Sequence, residues 1–177
     1  GGSTRQIVCT RPLETLDDLE GMKLRTNPTR PVITAWAALG TQPPVMTYQE
    51  IYTGLQLVAI DGLHNSAEWF YRMRFHEVAP HIGLSEHDIT VRLLTISDDT
   101  WESLTPSEQQ AVQAAADESE QYARNLQIRL DKESRDKLEA EGATFYPMDR
   151  ERMQQIVAGP LGQVIDDMGL RDLYELI

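Results

Sequence analysis

The side chains able to do chemistry in this chain are few, and their spacing argues against catalysis. Four histidines, His64, His76, His81 and His87, lack the i, i+4 pairing around a glutamate that sets two imidazoles on one helix face for zinc. No metal site is expected from them. There is no Gly-x-Ser-x-Gly elbow to expose a nucleophile and no glycine-rich loop to cradle phosphate. Cys9 is the only cysteine, so neither an internal disulfide nor a sulfur-based metal cluster can form, and it lies in an apolar run with no obvious partner. The chain is not read as an enzyme, and no cofactor is implied. What remains is binding chemistry, for which the strongest tool is a planar guanidinium that offers parallel N–H donors to both oxygens of a carboxylate. On periodicity alone, Arg25 reads as a solvated arginine at the end of a strand.

The 177 residues suffice for one domain with a real core, and 41% hydrophobic with 25% charged residues is a globular composition. A net charge of −12, with its lysines and arginines interleaved with acids, argues against a nucleic-acid partner. It leaves room for an anionic ligand, because one well-placed arginine makes a local positive site. No apolar run approaches the length needed to cross a bilayer.

The elements that would position these residues alternate in the first half between short β-type runs and helical patterns, which predicts parallel β-α units. Strands are predicted over 5–10 and 22–26, with a helical turn at Thr15–Asp18 that Gly21 ends. Pro31 suits the first turn of a helix with Val32, Ala35, Trp36 and Leu39 on its apolar face and Gly40 after its end. A short strand follows over 44–46. Thr47-Tyr-Gln-Glu50 fits a capping box, and Ile51, Leu55 and Val58 give the helix behind it a buried stripe up to Asp61-Gly62. Asn65-Ser-Ala-Glu68 resembles another helix start, with Asn65 as its cap. His81–Gly83 and, by its alternation, Ile89–Ile96 read as strands. Thr105-Pro-Ser-Glu108 combines a capping threonine, an early proline and a glutamate, and opens a helix running to about Glu141. Such a helix is about 50 Å long, with Val112, Ala116, Leu126 and Leu130 as a seam and Tyr122 close by. A strand at Phe145-Tyr146 and a helix capped by Asp149 follow, with Gly159-Pro160 and Gly169 as punctuation. Trp36 and Trp101 read as core.

Several ordered blocks from Gly21 onwards resemble the solute-binding proteins of TRAP (tripartite ATP-independent periplasmic) transporters. Gly21-Met-Lys-Leu-Arg25 is similar to the family's G-[LM]-K-[IL]-R strand. Ala38-Leu-Gly-Thr-Gln-Pro43 and the run from Tyr48 to Gln56 resemble A-L-G-A-x-P and E-[VI]-Y-x-[AG]-L-Q. Ile60-Asp-Gly-Leu-His-Asn65 resembles V-D-G-x-E-N, Phe75-His-Glu-Val78 resembles F-Y-E-V, and the block from Trp101 to Gln110 resembles W-x-S-L-[ST]-P-E-x-Q.

The resemblance implies an α/β, periplasmic-binding-protein-like lobe with parallel-type β-α units and a long C-terminal helix. It implies a periplasmic receptor that captures a small organic acid, a C4-dicarboxylate among the expected classes, and hands it to TRAP permease subunits in the membrane. Arg25 matches the arginine that takes the carboxylate, at a strand's carboxyl end where open α/β sheets dock ligands. Asn65 matches an asparagine that also touches the carboxylate, beside the free amides of a helix start. Tyr48 matches an often aromatic position that packs on the substrate. His64 stands where the family has glutamate; in the cleft it would change which acids fit and make binding pH-dependent, and its plainer reading is a satisfied surface histidine. Trp69 and Arg72 lie on the following helix, lining or supporting the pocket. Residues 1–88 then correspond to the second, carboxylate-binding lobe. Residues 89–177 supply a strand returning to the first lobe, the long connecting helix and the C-terminal helices, with the N-terminal lobe largely absent. Apolar surface left bare would suit a homodimer through the long helix. The rival readings on the same fold are a periplasmic ligand-sensing module and a dimerisation scaffold.

Overall fold

A computed structural model describes residues 3–176. One mixed five-stranded sheet organises it, in the order β2-β3-β1-β4-β5. The strands are β1 (Gln6–Cys9), β2 (Leu24–Arg25), β3 (Gly62–Asn65), β4 (His81–Leu84) and β5 (Thr144–Pro147). β2 runs parallel to β3 and β4 to β5, while β1 at the centre is antiparallel to both its neighbours. The parallel β-α pattern therefore holds for four strands and is reversed at the first. All four β1 residues are buried, as a strand covered on both faces requires, and such a run carries no signal of direction.

Alternation along these strands divides the core into two layers. Val8, Leu63 and Ile82 face α2 (Ile51–Gln56), α3 (Ala67–Arg72) and the buried rings of Phe70 and Phe75. Ile7, Cys9 and Leu24 face the other way, against Trp36 of α1 (Arg30–Ala38) and Met153 of α6 (Arg150–Asp167). Burial pushes the Cys9 thiol up to about 12, so it packs as an apolar group. Gly62 lets β3 approach β1: a Cβ there would lie 2.6 Å from the Val8 carbonyl oxygen and 2.9 Å from Cys9 Cβ. Gly62→Ala should lower stability by about 1–3 kcal/mol in urea unfolding, because the two central strands must separate to admit the methyl.

The three threonine-led starts form as the sequence reads. Thr15 and Thr47 open short 3-10 turns and Thr105 opens α5 (Pro106–Ala140), each with a reciprocal glutamate or aspartate three residues on. α4 (Asp98–Ser103) precedes this helix and α7 (Arg171–Tyr174) follows α6. Only the last third of α5 is packed: Ser134 and Leu138 are buried in its contact with α3. From 110 to 125 every residue but Ala116 is exposed, so Val112 and Tyr122 join no seam, while Leu126 and Leu130 are half-covered.

Other expectations fail for identifiable reasons. Ile89–Ile96 forms no strand; its pairing is a single bridge from Ile89 to Thr4, and Leu93 is 83% exposed. Its alternation defines two faces, but a strand also needs a neighbouring edge to bond. Residues 44–46 give only the bridge from Val45 to Thr26. α2 stops at Gln56, leaving Val58 exposed at a left-handed φ of 57° instead of on the buried stripe. Gly159-Pro160 lies inside α6, which runs on to Asp167 before Gly169. Trp36 is core, whereas Trp101 is half-buried.

Candidate functional site

The sheet brings one set of sequence-predicted residues together at one edge. Arg25 ends β2 and Asn65 ends β3, so both stand at the carboxyl ends of parallel strands. The pairing of Arg25 with Leu63, two residues before Asn65, sets all three on the face that carries α2 and α3. Tyr48 reaches the same place from the 3-10 turn before α2.

Each contact in this cluster has a physical role. The Arg25 Nε donates to the Met46 carbonyl oxygen at 2.9 Å, which fixes the plane of the guanidinium and leaves its terminal nitrogens free of that bond. The guanidinium carbon lies 5.9 Å from the Tyr48 ring centroid. The Asn65 Nδ2 donates to the Tyr48 hydroxyl at 3.3 Å, and the Asn65 Oδ1 accepts from the Ser66 amide at 2.9 Å. Tyr48 meets Trp69 and Phe75 edge-on, with centroids 6.0 and 6.1 Å away. Trp69 supports the tyrosine and is itself covered by Arg72, whose guanidinium carbon lies 5.1 Å from the indole centroid and which pairs with Glu68 at 3.0 Å. Asn65 does not cap α3. That position falls to Ser66, and the helix is only six residues long.

The electrostatics of the cluster are positive. Among the described residues Arg25 forms no ion pair, although it is half-buried. Burial lowers its pKa, Tyr48 opposes that shift and Arg5 adds to it; no carboxylate contributes. Burial likewise raises the Tyr48 phenol, against the Asn65 hydrogen bond and the charges of Arg25 and Arg5. An uncompensated guanidinium in partly desolvated surroundings is a site for a carboxylate.

Arg5 was not singled out by sequence. It precedes β1, and because β1 is antiparallel to β3, with Gln6 opposite Asn65, Arg5 arrives at the same end of the sheet. Its Nε lies 3.1 Å from Asp88 Oδ2 and 3.3 Å from Thr90 Oγ1. No local motif marks it; only the strand direction does.

His64 departs from the cluster. It pairs with Ile7 and faces the opposite side of the sheet from Asn65. It is 4% exposed and so is no surface histidine. Its Nδ1 lies 3.2 Å from His87 Nε2, and His87 Nδ1 lies 2.7 Å from Ser85 Oγ. Trp36 completes the group, its ring centroid 5.4 Å from His64 and 4.8 Å from His87. Burial, then the charges of His87, Arg5 and Arg25, hold His64 down at about 3; burial and Arg5 hold His87 at about 4. Both are neutral at physiological pH.

In open α/β sheets the carboxyl ends of parallel strands, where Arg25 stands, are where ligands dock. Residues 1–164 match the family model DctP, bacterial extracellular solute-binding protein, family 7. The chain belongs to this family, the non-enzymatic periplasmic solute-binding receptors of TRAP transporters. A solute-binding protein of Roseobacter denitrificans is 34% identical over 82% of this chain and 45% of its own length. A TRAP periplasmic solute-binding protein of Xanthobacter autotrophicus, solved with β-D-galacturonate, superposes with a TM-score of 0.86 at 31% identity, over 97% of this chain and 57% of that one. One from Sulfitobacter sp., solved with α-D-taluronate, gives 0.87 at 31% identity over 99% and 58%. The chain thus spans about half the length of the relatives it matches. The α/β lobe with a long helix expected from the sequence is the fold of these neighbours. Among the described residues, no helix is long and apolar enough to cross a membrane.

Proposed function

We propose that the protein captures a sugar acid by its carboxylate and delivers it to a TRAP-type membrane permease. The half-buried Arg25 guanidinium, held by Met46 and unpaired with any acid among the described residues, carries this reading. Asn65 supplies an amide beside it, Tyr48 an aromatic face, and Arg5 a second positive charge; Trp69 supports the tyrosine from behind. Uronates are favoured over the C4-dicarboxylates expected from sequence, because the Xanthobacter and Sulfitobacter neighbours hold a galacturonate and a taluronate.

Residues 1–88 hold the acid in this reading, and from 89 the chain leads towards a second lobe. The support is bare apolar surface: Val91, Leu93 and Leu94, and the exposed first two-thirds of α5, are faces that another lobe would cover. The homodimer expected through the long helix has no support in the comparisons. Closure of two lobes on the acid would present the permease with a new surface, driven by the ligand's higher affinity for the closed state.

Thermal unfolding of the full-length protein against D-galacturonate, succinate and D-galactose tests the reading. A bound acid at 100 times its dissociation constant adds about 2.7 kcal/mol. Galacturonate should raise the melting temperature and galactose, which lacks the carboxylate, should not; an equal response to both would sink the carboxylate site. Tyr48→Phe, which removes the hydroxyl that orients Asn65, should weaken galacturonate about fivefold in calorimetry, the loss of one hydrogen bond of about 1 kcal/mol.

A further inference from the structure

The cluster around Arg25 has a support that reaches it from the long helix. Glu68 stands in the first turn of α3, and its side chain is only 9% exposed where α3 packs against α5. Both of its oxygens are used. Arg72, one turn further along α3, donates to Oε1 at 3.0 Å, and Gln127 of α5 donates to Oε2 at 2.9 Å. Gln127 lies where the exposed stretch of α5 ends and its packing begins.

A carboxylate in a contact between helices costs desolvation that a leucine would not. What it adds is direction, because each oxygen accepts from one donor along a set line. That direction is passed on. Arg72 is mostly exposed, and its guanidinium is planar, so it bonds Glu68 and lies over the Trp69 indole at the same time. Trp69 in turn meets the Tyr48 ring edge-on, and the Tyr48 hydroxyl accepts from Asn65. An unbroken run of contacts therefore joins Gln127 to the aromatic face beside Arg25. Trp36, on the other face of the sheet, has no part in it.

We propose that Glu68 is a positioning residue of the acid site: anchored by Gln127 of the long helix, it holds Arg72 over Trp69 and so fixes the ring of Tyr48. The role rests on the reading of Arg25, Asn65 and Tyr48 as that site. The seating of α5 and the shape of the site are then one property, and loosening either loosens the other.

Isosteric exchanges in full-length protein carrying fluorotryptophan test the role, with the Trp69 19F signal assigned by Trp69→Phe. Gln127→Glu sets two carboxylates face to face. It should shift the Trp69 signal of the ligand-free protein, leave that of Trp36 in place, and weaken D-galacturonate about fivefold in calorimetry, the share of one hydrogen bond. Adding Glu68→Gln returns a donor to the contact and should bring both readouts most of the way back, which a general loss of stability would not do. A Trp69 signal and an affinity unchanged by Gln127→Glu, or changed and not recovered in the double exchange, would overturn the positioning role. A galacturonate affinity indifferent to Arg25→Ala would instead sink the acid site itself; the 19F shift of the ligand-free protein keeps the two failures apart.

Discussion

Arg25→Ala in the full-length protein should weaken binding of its sugar acid roughly 30- to 5,000-fold in calorimetry. That corresponds to the 2–5 kcal/mol lost when one member of a buried, hydrogen-bonded charge pair is removed. The size of the effect follows from the surroundings. Arg25 is half-buried, its orientation is fixed by Met46, and no other group among the described residues already neutralises it. Arg25→Lys should recover only part of the loss, because an ammonium keeps the charge but not the two parallel donors. The fold should survive either change, since Arg25 ends a two-residue strand near the sheet's border and gives up a single hydrogen bond. An affinity unchanged in Arg25→Ala would remove the residue from the site.

The second large effect is on stability against pH. In the unfolded chain a histidine takes up its proton near pH 6.5, whereas burial holds His64 and His87 neutral down to about 3 and about 4. Below pH 6.5 the unfolded state therefore binds more protons than the native one, and stability falls as the pH falls. The loss is about 1.4 kcal/mol per pH unit for each histidine, about 3 for the pair, until the native pKa values are reached. Stability is fully present above pH 6.5. His64→Leu should remove one of the two contributions and shallow the fall between pH 6 and pH 4 by about half of the pair's share, read as the difference between urea midpoints of the two proteins. Identical pH dependence in both would show that His64 is not held neutral. Trp36, 4.8 Å from the His87 ring, offers a fluorescence signal for the same protonation.

These two groups of residues also show what a single sequence reveals. The capped starts at Thr47 and Thr105 were legible because the chemistry is local: a hydroxyl and a carboxylate three residues apart answer each other's amides. Arg25, Asn65 and Tyr48, which the family blocks named separately, stand in one cluster, although each block by itself described only a short segment. What stayed hidden was non-local. The reversed direction of β1 brings Arg5 to the edge that carries Arg25 and Asn65, and no residue within β1 reports on it. His64 and Asn65 are neighbours in sequence, yet alternation along β3 sends them to opposite faces, so a reading by motif alone grouped residues that the sheet separates. The segment 89–96 carries a strand's alternation without a strand's partner. Pro160 does not break α6; the helix continues past it to Asp167.

The position of the ligand's carboxylate in a crystal of the full-length protein grown with D-galacturonate tests the central claim most directly. Both carboxylate oxygens should lie at about 2.7–2.9 Å from the Arg25 guanidinium nitrogens, with the Asn65 amide beside them. A galacturonate whose carboxylate is held by other groups, with Arg25 turned to solvent or paired with a protein acid, would contradict it.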